Sequence, residues 1–135
     1  MQEVHFNLLA IVAASAARLL IGFLWHEVNP YAKSMLPAIG MTQKEMEKQR
    51  SKGIPFEFLA GMVMAWILAH AIIYAGAQGV VQGMVCAFFN WVGFVAVVLL
   101  GDVVWTKRPI KVFYFTGGYY LVSMLVMGAI LVTWY

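Results

Sequence analysis

Four apolar runs, each long enough to cross a hydrocarbon layer of about 30 Å, dictate what this 135-residue chain can become. They lie at about 6–29, 55–75, 80–103 and 112–135. In lipid every backbone amide must find its partner within the protein, so each run reads as a helix. The expected fold class is therefore all-α integral membrane, a four-transmembrane-helix bundle with the lipid bilayer as its first partner. Composition agrees, because 63% hydrophobic and 11% charged residues exclude a soluble domain with a polar surface. Residues 1–135 read as a single membrane domain, since four crossings of this length leave no room for another.

Turn signals separate the runs: Gly53-Ile54-Pro55, Gly76-Ala77-Gln78-Gly79 and Lys107-Arg108-Pro109. The short, uncharged turn at 76–79 makes the second and third helices antiparallel neighbours. Basic residues set the orientation, because short cytoplasmic loops of membrane proteins collect lysine and arginine. Lys33, Lys44, Lys48, Arg50 and Lys52 fall in loop 30–54, and Lys107, Arg108 and Lys111 fall at or beside loop 104–111. Both loops are thus expected in the cytoplasm, giving an N-out/C-out multi-pass protein of the plasma membrane. The same placement argues against a nucleic-acid partner, since these charges flank helices. The segment MQEVH before the first run lacks the positive charge of a signal-peptide leader, so the run is read as a crossing despite the small residues Ala13 to Ala17. The single cysteine, Cys86, excludes an intrachain disulfide.

Loop 30–54 carries a local signal of its own. Thr42 with Glu45 three residues on forms a capping box, and Gly53 suits a C-cap, so Gln43 to Lys52 is predicted as a short interfacial helix.

The polar residues inside the apolar runs are the candidates for function. Arg18 stands near the middle of the first run and shares a helical face with Asn7, Asn29, Ile11, Ala14, Gly22 and Trp25. Glu27 falls on nearly the opposite side, which makes it a poor partner for Arg18. Depth, taken from the run boundaries, gives two tiers: a midplane set of Arg18, His70 and Asn90, and an inner-mouth set of His26, Glu27 and Asp102. Glu57 also falls at the inner boundary on this reckoning, so the midplane set has no carboxylate. Arg18 is then expected to be satisfied by Asn90, helix carbonyls, water, a neighbouring subunit or a bound anion. Thr116, Tyr120 and Ser123 supply neutral hydrogen-bonding groups on the fourth helix, and Gly83, Cys86, Gly93, Gly101 and Gly117-Gly118 permit close packing.

No cofactor or metal is expected. Bis-histidine haem needs two histidines at one depth, which His5, His26 and His70 do not offer, and no zinc-binding spacing occurs. Catalytic residues are likewise not assigned, because the chain has no nucleophile elbow and no phosphate-cradling loop.

Several features together, namely Gly22, Trp25 and Pro30, the Arg108-Pro109 step, the Gly118-Tyr119 pair and the closing Met127-Gly128-Ala129-Ile130 to Trp134, carry a resemblance over most of the chain. It resembles the family called domain of unknown function 1761, small four-helix membrane proteins found mainly in bacteria. Trp25-His26-Glu27-Val28-Asn29-Pro30 departs from the tryptophan, tyrosine, serine, proline order frequent there. The resemblance implies the fold and no activity; the membrane expected for the chain is the bacterial inner membrane.

The function expected from the residues is that of an oligomeric channel or small-solute transporter, with Arg18 as a midplane site, His70 and Asn90 along the path, and His26, Glu27 and Asp102 at the inner mouth. The competing expectation is a non-catalytic accessory subunit whose Arg18 pairs with an acid of a larger membrane complex. A membrane enzyme acting at the His26, Glu27 and Asp102 tier is the least supported class.

Overall fold

The computed structural model describes residues 7–134, which are helical throughout apart from short turns. Helix α1, Leu8–Phe23, is capped by Asn7, whose side chain accepts from the backbone N–H groups of Leu9 and Ala10. It continues without a break into a π-turn, Leu24–Val28. A short helix α2, Ala32–Ile39, follows and stops at Gly40, which takes the left-handed conformation at φ 72°. Helix α3 runs Gln43–Tyr74. The third span comprises α4, Val80–Trp91, a π-turn at Val92–Ala96 and α5, Val97–Thr106. Helix α6, Ile110–Thr133, closes the bundle.

Four stretches are long and apolar enough to span a membrane: Leu8–Val28, Gln43–Tyr74, Val80–Thr106 and Ile110–Thr133. Helix α6 is the centre of the bundle, packing against α1 on one side and α4 on the other, while α3 packs mainly on α1. All but one of the nine lysine and arginine residues lie at one end of the bundle, where α1 ends, α3 begins and the third span meets α6. The exception is Arg18.

The short interfacial helix expected at 43–52 is not a separate element. Its residues form the first three turns of α3, which passes straight through Gly53 and Pro55. Thr42 does cap it, accepting from the Glu45 backbone N–H at 3.1 Å. Gly53 does not end it, for a physical reason: Gln43 to Lys52 is rich in strong helix formers, and membrane helices tolerate a proline whose freed carbonyl is satisfied elsewhere. At about 1.5 Å per residue, α3 is about 48 Å long and overshoots a hydrocarbon core of about 30 Å. The loop does hold a short helix, but it is α2, which starts eleven residues earlier.

Small residues set how closely the spans approach, as expected where lipid removes any hydrophobic drive for helix association. A Cβ on Gly128 would stand 2.6 Å from the Gly83 carbonyl oxygen, and one on Gly83 would stand 2.6 Å from that of Gly128, so α4 and α6 cross with their backbones in contact. On α3, Gly61, Ala65 and Ala69 recur every four residues and are buried together with Ala10 and Ala14 of α1. Gly93 and Gly101, also read as packing glycines, make no such contact, because a Cβ at either position would have nothing within 4 Å. Two tryptophans fix α6 from either side. Trp25 donates through its indole N–H to the Phe115 carbonyl at 3.0 Å, and Trp91 donates to the Gly117 carbonyl at 3.0 Å.

Candidate functional site

Arg18 lies on the buried face of α1 and is only 3% exposed. A guanidinium at that position requires acceptors, and α3 provides both of them from one residue. Its Nη2 pairs with the Glu57 carboxylate at 2.8 Å, and its Nη1 donates to the Glu57 backbone carbonyl at 2.8 Å. One turn earlier on α1, Ser15 donates to the Phe58 carbonyl at 2.7 Å. Two successive carbonyls of α3 thus accept from α1, using the second lone pair that helical carbonyls retain. Gly61 permits the approach, since a Cβ there would stand 2.5 Å from the Ser15 hydroxyl.

From the other side, the guanidinium carbon lies 5.8 Å from the ring centre of Tyr119 and 5.7 Å from that of Tyr120. Both distances fall within the range of cation–π attraction, which strengthens when water is excluded. The Arg18 Nε is buried and has no hydrogen-bond partner among the described residues.

The two members of the pair are unequally covered. Arg18 is sealed in, whereas the Glu57 side chain is 41% exposed. The exposed side opens onto a cleft of about 270 Å³. Its lining includes Arg18 and Tyr120, Phe56 and Ala60 of α3, and Phe94 and Val98 of the third span. Phe94 belongs to the π-turn Val92–Ala96, an irregularity that recurs at functional sites in other proteins.

The structure redistributes the residues expected to form the two tiers. His70 is thirteen residues beyond Glu57 on α3, about 20 Å along the axis, and is not part of this site. Its Nδ1 lies 2.9 Å from the Trp66 carbonyl, and its ring meets that of Trp66 edge-on at 4.9 Å. Asn90 donates to the Cys86 carbonyl of its own helix at 2.8 Å. Neither is brought to Arg18. At the other tier, Glu27 pairs with Arg50 at 2.6 Å, and Asp102 lies 3.5 Å from Arg108. His26 lies 2.8 Å from the Gly22 carbonyl through Nδ1 and contacts the Tyr119 ring edge-on at 5.0 Å. Glu27 and Asp102 thus tie the ends of spans together. His5, weighed above for haem, lies outside the described residues.

Glu57 is the residue that sequence reasoning misses. Counting depth from Pro55 as the start of the second crossing places Glu57 at the membrane boundary. The helix starts at Gln43, and its packing on α1 sets Glu57 level with Arg18, which a count from Pro55 does not reveal. A signal is available: Glu57, Gly61, Ala65 and Ala69 are spaced by four, which puts the acid on the same face as the small residues that pack.

Four helices long and apolar enough to cross a membrane, packed around a half-buried ion pair, suggest a small multi-pass helical membrane protein. The chain matches, over residues 9–132, the family described as protein of unknown function DUF1761, and it belongs to that family. No curated protein and no solved structure matches it.

Proposed function

We propose that this is a small-solute transport protein in which Arg18 and Glu57 together form the polar site, reached through the cleft between α3 and the third span. One observation carries the reading: a half-buried ion pair whose acid faces an open cleft. Leaving the acid exposed lowers the desolvation cost of the pair, and it also leaves a charged group that a ligand in the cleft can meet. Here the acid keeps access, and the cleft gives a ligand a route to it. The intrachain acid also removes the reason to seek a partner for Arg18 on another chain, which supports transport over the accessory-subunit reading.

In this proposal the protein sits in the bacterial inner membrane with both ends outside and loops 30–54 and 104–111 in the cytoplasm, following the basic residues. It works as a homo-oligomer, since four helices alone enclose little volume. His26, Glu27 and Asp102 then act at the cytoplasmic mouth, where the two acids pair with Arg50 and Arg108.

The test is transport current in proteoliposomes on a solid support, with rapid exchange among small organic cations, anions and neutral solutes. A solute-specific current is expected in the wild type and is lost in Glu57→Gln and Arg18→Lys proteins of unchanged helicity. A wild type silent towards every solute, or a Glu57→Gln protein with the same current, would refute the proposal.

A further inference from the structure

The pair does not present its two charges equally, and this fixes the sign of what it can bind. With Arg18 3% exposed and the Glu57 side chain 41% exposed, the group that a ligand in the cleft meets is the carboxylate. The guanidinium lies behind it, committed to Glu57 and flanked by Tyr119 and Tyr120. The pair is therefore a dipole with its negative end towards the opening.

Aromatic side chains stand beside it: Phe56, Phe94 and Tyr120 line the cleft, and a ring that turns its face to a cation attracts it through the negative part of its quadrupole. A cation near an exposed carboxylate and over aromatic faces gains from both, and more so away from bulk water. An anion would meet the carboxylate first and find the guanidinium covered. The remaining lining, Ala60, Met64 and Val98 among it, is apolar, and Phe94 and Val98 are themselves 76% and 63% exposed on the outer surface of the bundle. A ligand with an apolar chain can thus leave that chain in the surrounding lipid and place only its head in the cleft. A volume of about 270 Å³ suits a head group and a few carbons, slightly below the range of pockets that enclose a whole drug-sized molecule.

We infer that the Arg18–Glu57 cleft binds amphiphilic cations, a charged amine or quaternary ammonium on an apolar chain, entering sideways from the lipid. This deepens the transport proposal by naming the substrate class, and it rests on that proposal for its physiological meaning. Binding itself is testable without transport.

The experiment uses the full chain in lipid nanodiscs and a lipid-soluble carbodiimide, which couples to carboxyl groups accessible from the apolar phase. Modification of Glu57 is read by peptide mass spectrometry with matched additives present: decyltrimethylammonium, decanol and decanoate. Glu57 is expected to react, and decyltrimethylammonium to slow the reaction by about tenfold at concentrations where decanol and decanoate do not, the discrimination of one charge-assisted contact. In Val98→Trp, whose larger side chain takes up space in the cleft, that protection, measured against the variant's own rate without additive, is expected to vanish. An unreactive Glu57, equal protection by decanol or decanoate, or full protection in Val98→Trp would overturn the inference. Protection by the cation without any transport current would retain the binding site and refute the transport reading alone.

Discussion

Removing Glu57 should destabilise the bundle more than removing Glu57 and Arg18 together. Arg18 is 3% exposed, so Glu57→Leu strands a buried guanidinium with one main-chain acceptor left, the carbonyl of residue 57 at 2.8 Å. Breaking a buried pair from one side costs about 3–5 kcal/mol. Arg18→Met strands the acid instead, but that side chain is 41% exposed and can turn to the open cleft. Its cost should be nearer about 1–2 kcal/mol, that of a polar group losing a partner with some access to water. Replacing both with apolar groups of similar volume should return stability to within about 1 kcal/mol of wild type. The coupling energy would then be at least about 3 kcal/mol, well outside the additivity of independent sites. The assay is equilibrium unfolding in dodecylmaltoside micelles with increasing dodecyl sulfate, followed by tryptophan fluorescence, to which Trp25 and Trp91 report from their docking on α6. Single losses that add to the double within about 0.5 kcal/mol would refute the reasoning, because the pair would then contribute no interaction of its own.

Three further outcomes follow from the packing. Gly128→Val should abolish the folded bundle, because its Cβ would lie 2.6 Å from the Gly83 carbonyl oxygen, whereas Gly101→Ala, with nothing within 4 Å, should stabilise by about 0.5–1 kcal/mol; both are read in the same unfolding assay. Trp25→Phe and Trp91→Phe should each cost about 1 kcal/mol through loss of one indole hydrogen bond to α6, so equal stability of the double variant and wild type would contradict the docking described. Thr42→Ala should raise amide hydrogen exchange in the first turn of α3 by about fivefold, for a cap worth about 1 kcal/mol, and leave exchange beyond Pro55 unchanged. Equal rates throughout would show that the Thr42 cap does not hold this turn.

The four spans are legible in the sequence because lipid allows so few solutions: a long apolar run must be helical, and charges collect at one end. Arg18 stands out for the same reason. The start of α3 is what the sequence misplaces, since Gly53 and Pro55 are strong stop signals elsewhere and do not interrupt this helix. Treating them as a boundary puts Glu57 at the surface and leaves Arg18 without an acid. Depth alone groups His70 and Asn90 with Arg18, and both instead meet carbonyls of their own helices, those of Trp66 and Cys86. Spacing along one helix says which face a residue takes but not which helix lies opposite. Nor does hydropathy reveal the two π-turns, which leave helical periodicity almost intact while shifting the residues beyond them.

The Arg18–Glu57 salt bridge is tested most directly by the distance between the Arg18 guanidinium nitrogens and the Glu57 carboxyl carbon, measured in lipid bilayers. Rotational-echo solid-state NMR gives it with ¹⁵N-arginine and ¹³C-glutamate labels in an Arg50→Lys, Arg108→Lys background, which leaves Arg18 as the one labelled arginine. Strong dephasing is expected, as the 2.8 Å contact between Nη2 and the carboxylate oxygen requires, and it should disappear when Glu57 is replaced by Leu. Absence of dephasing, or dephasing that survives Glu57→Leu, would place the partner of Arg18 elsewhere and contradict the site.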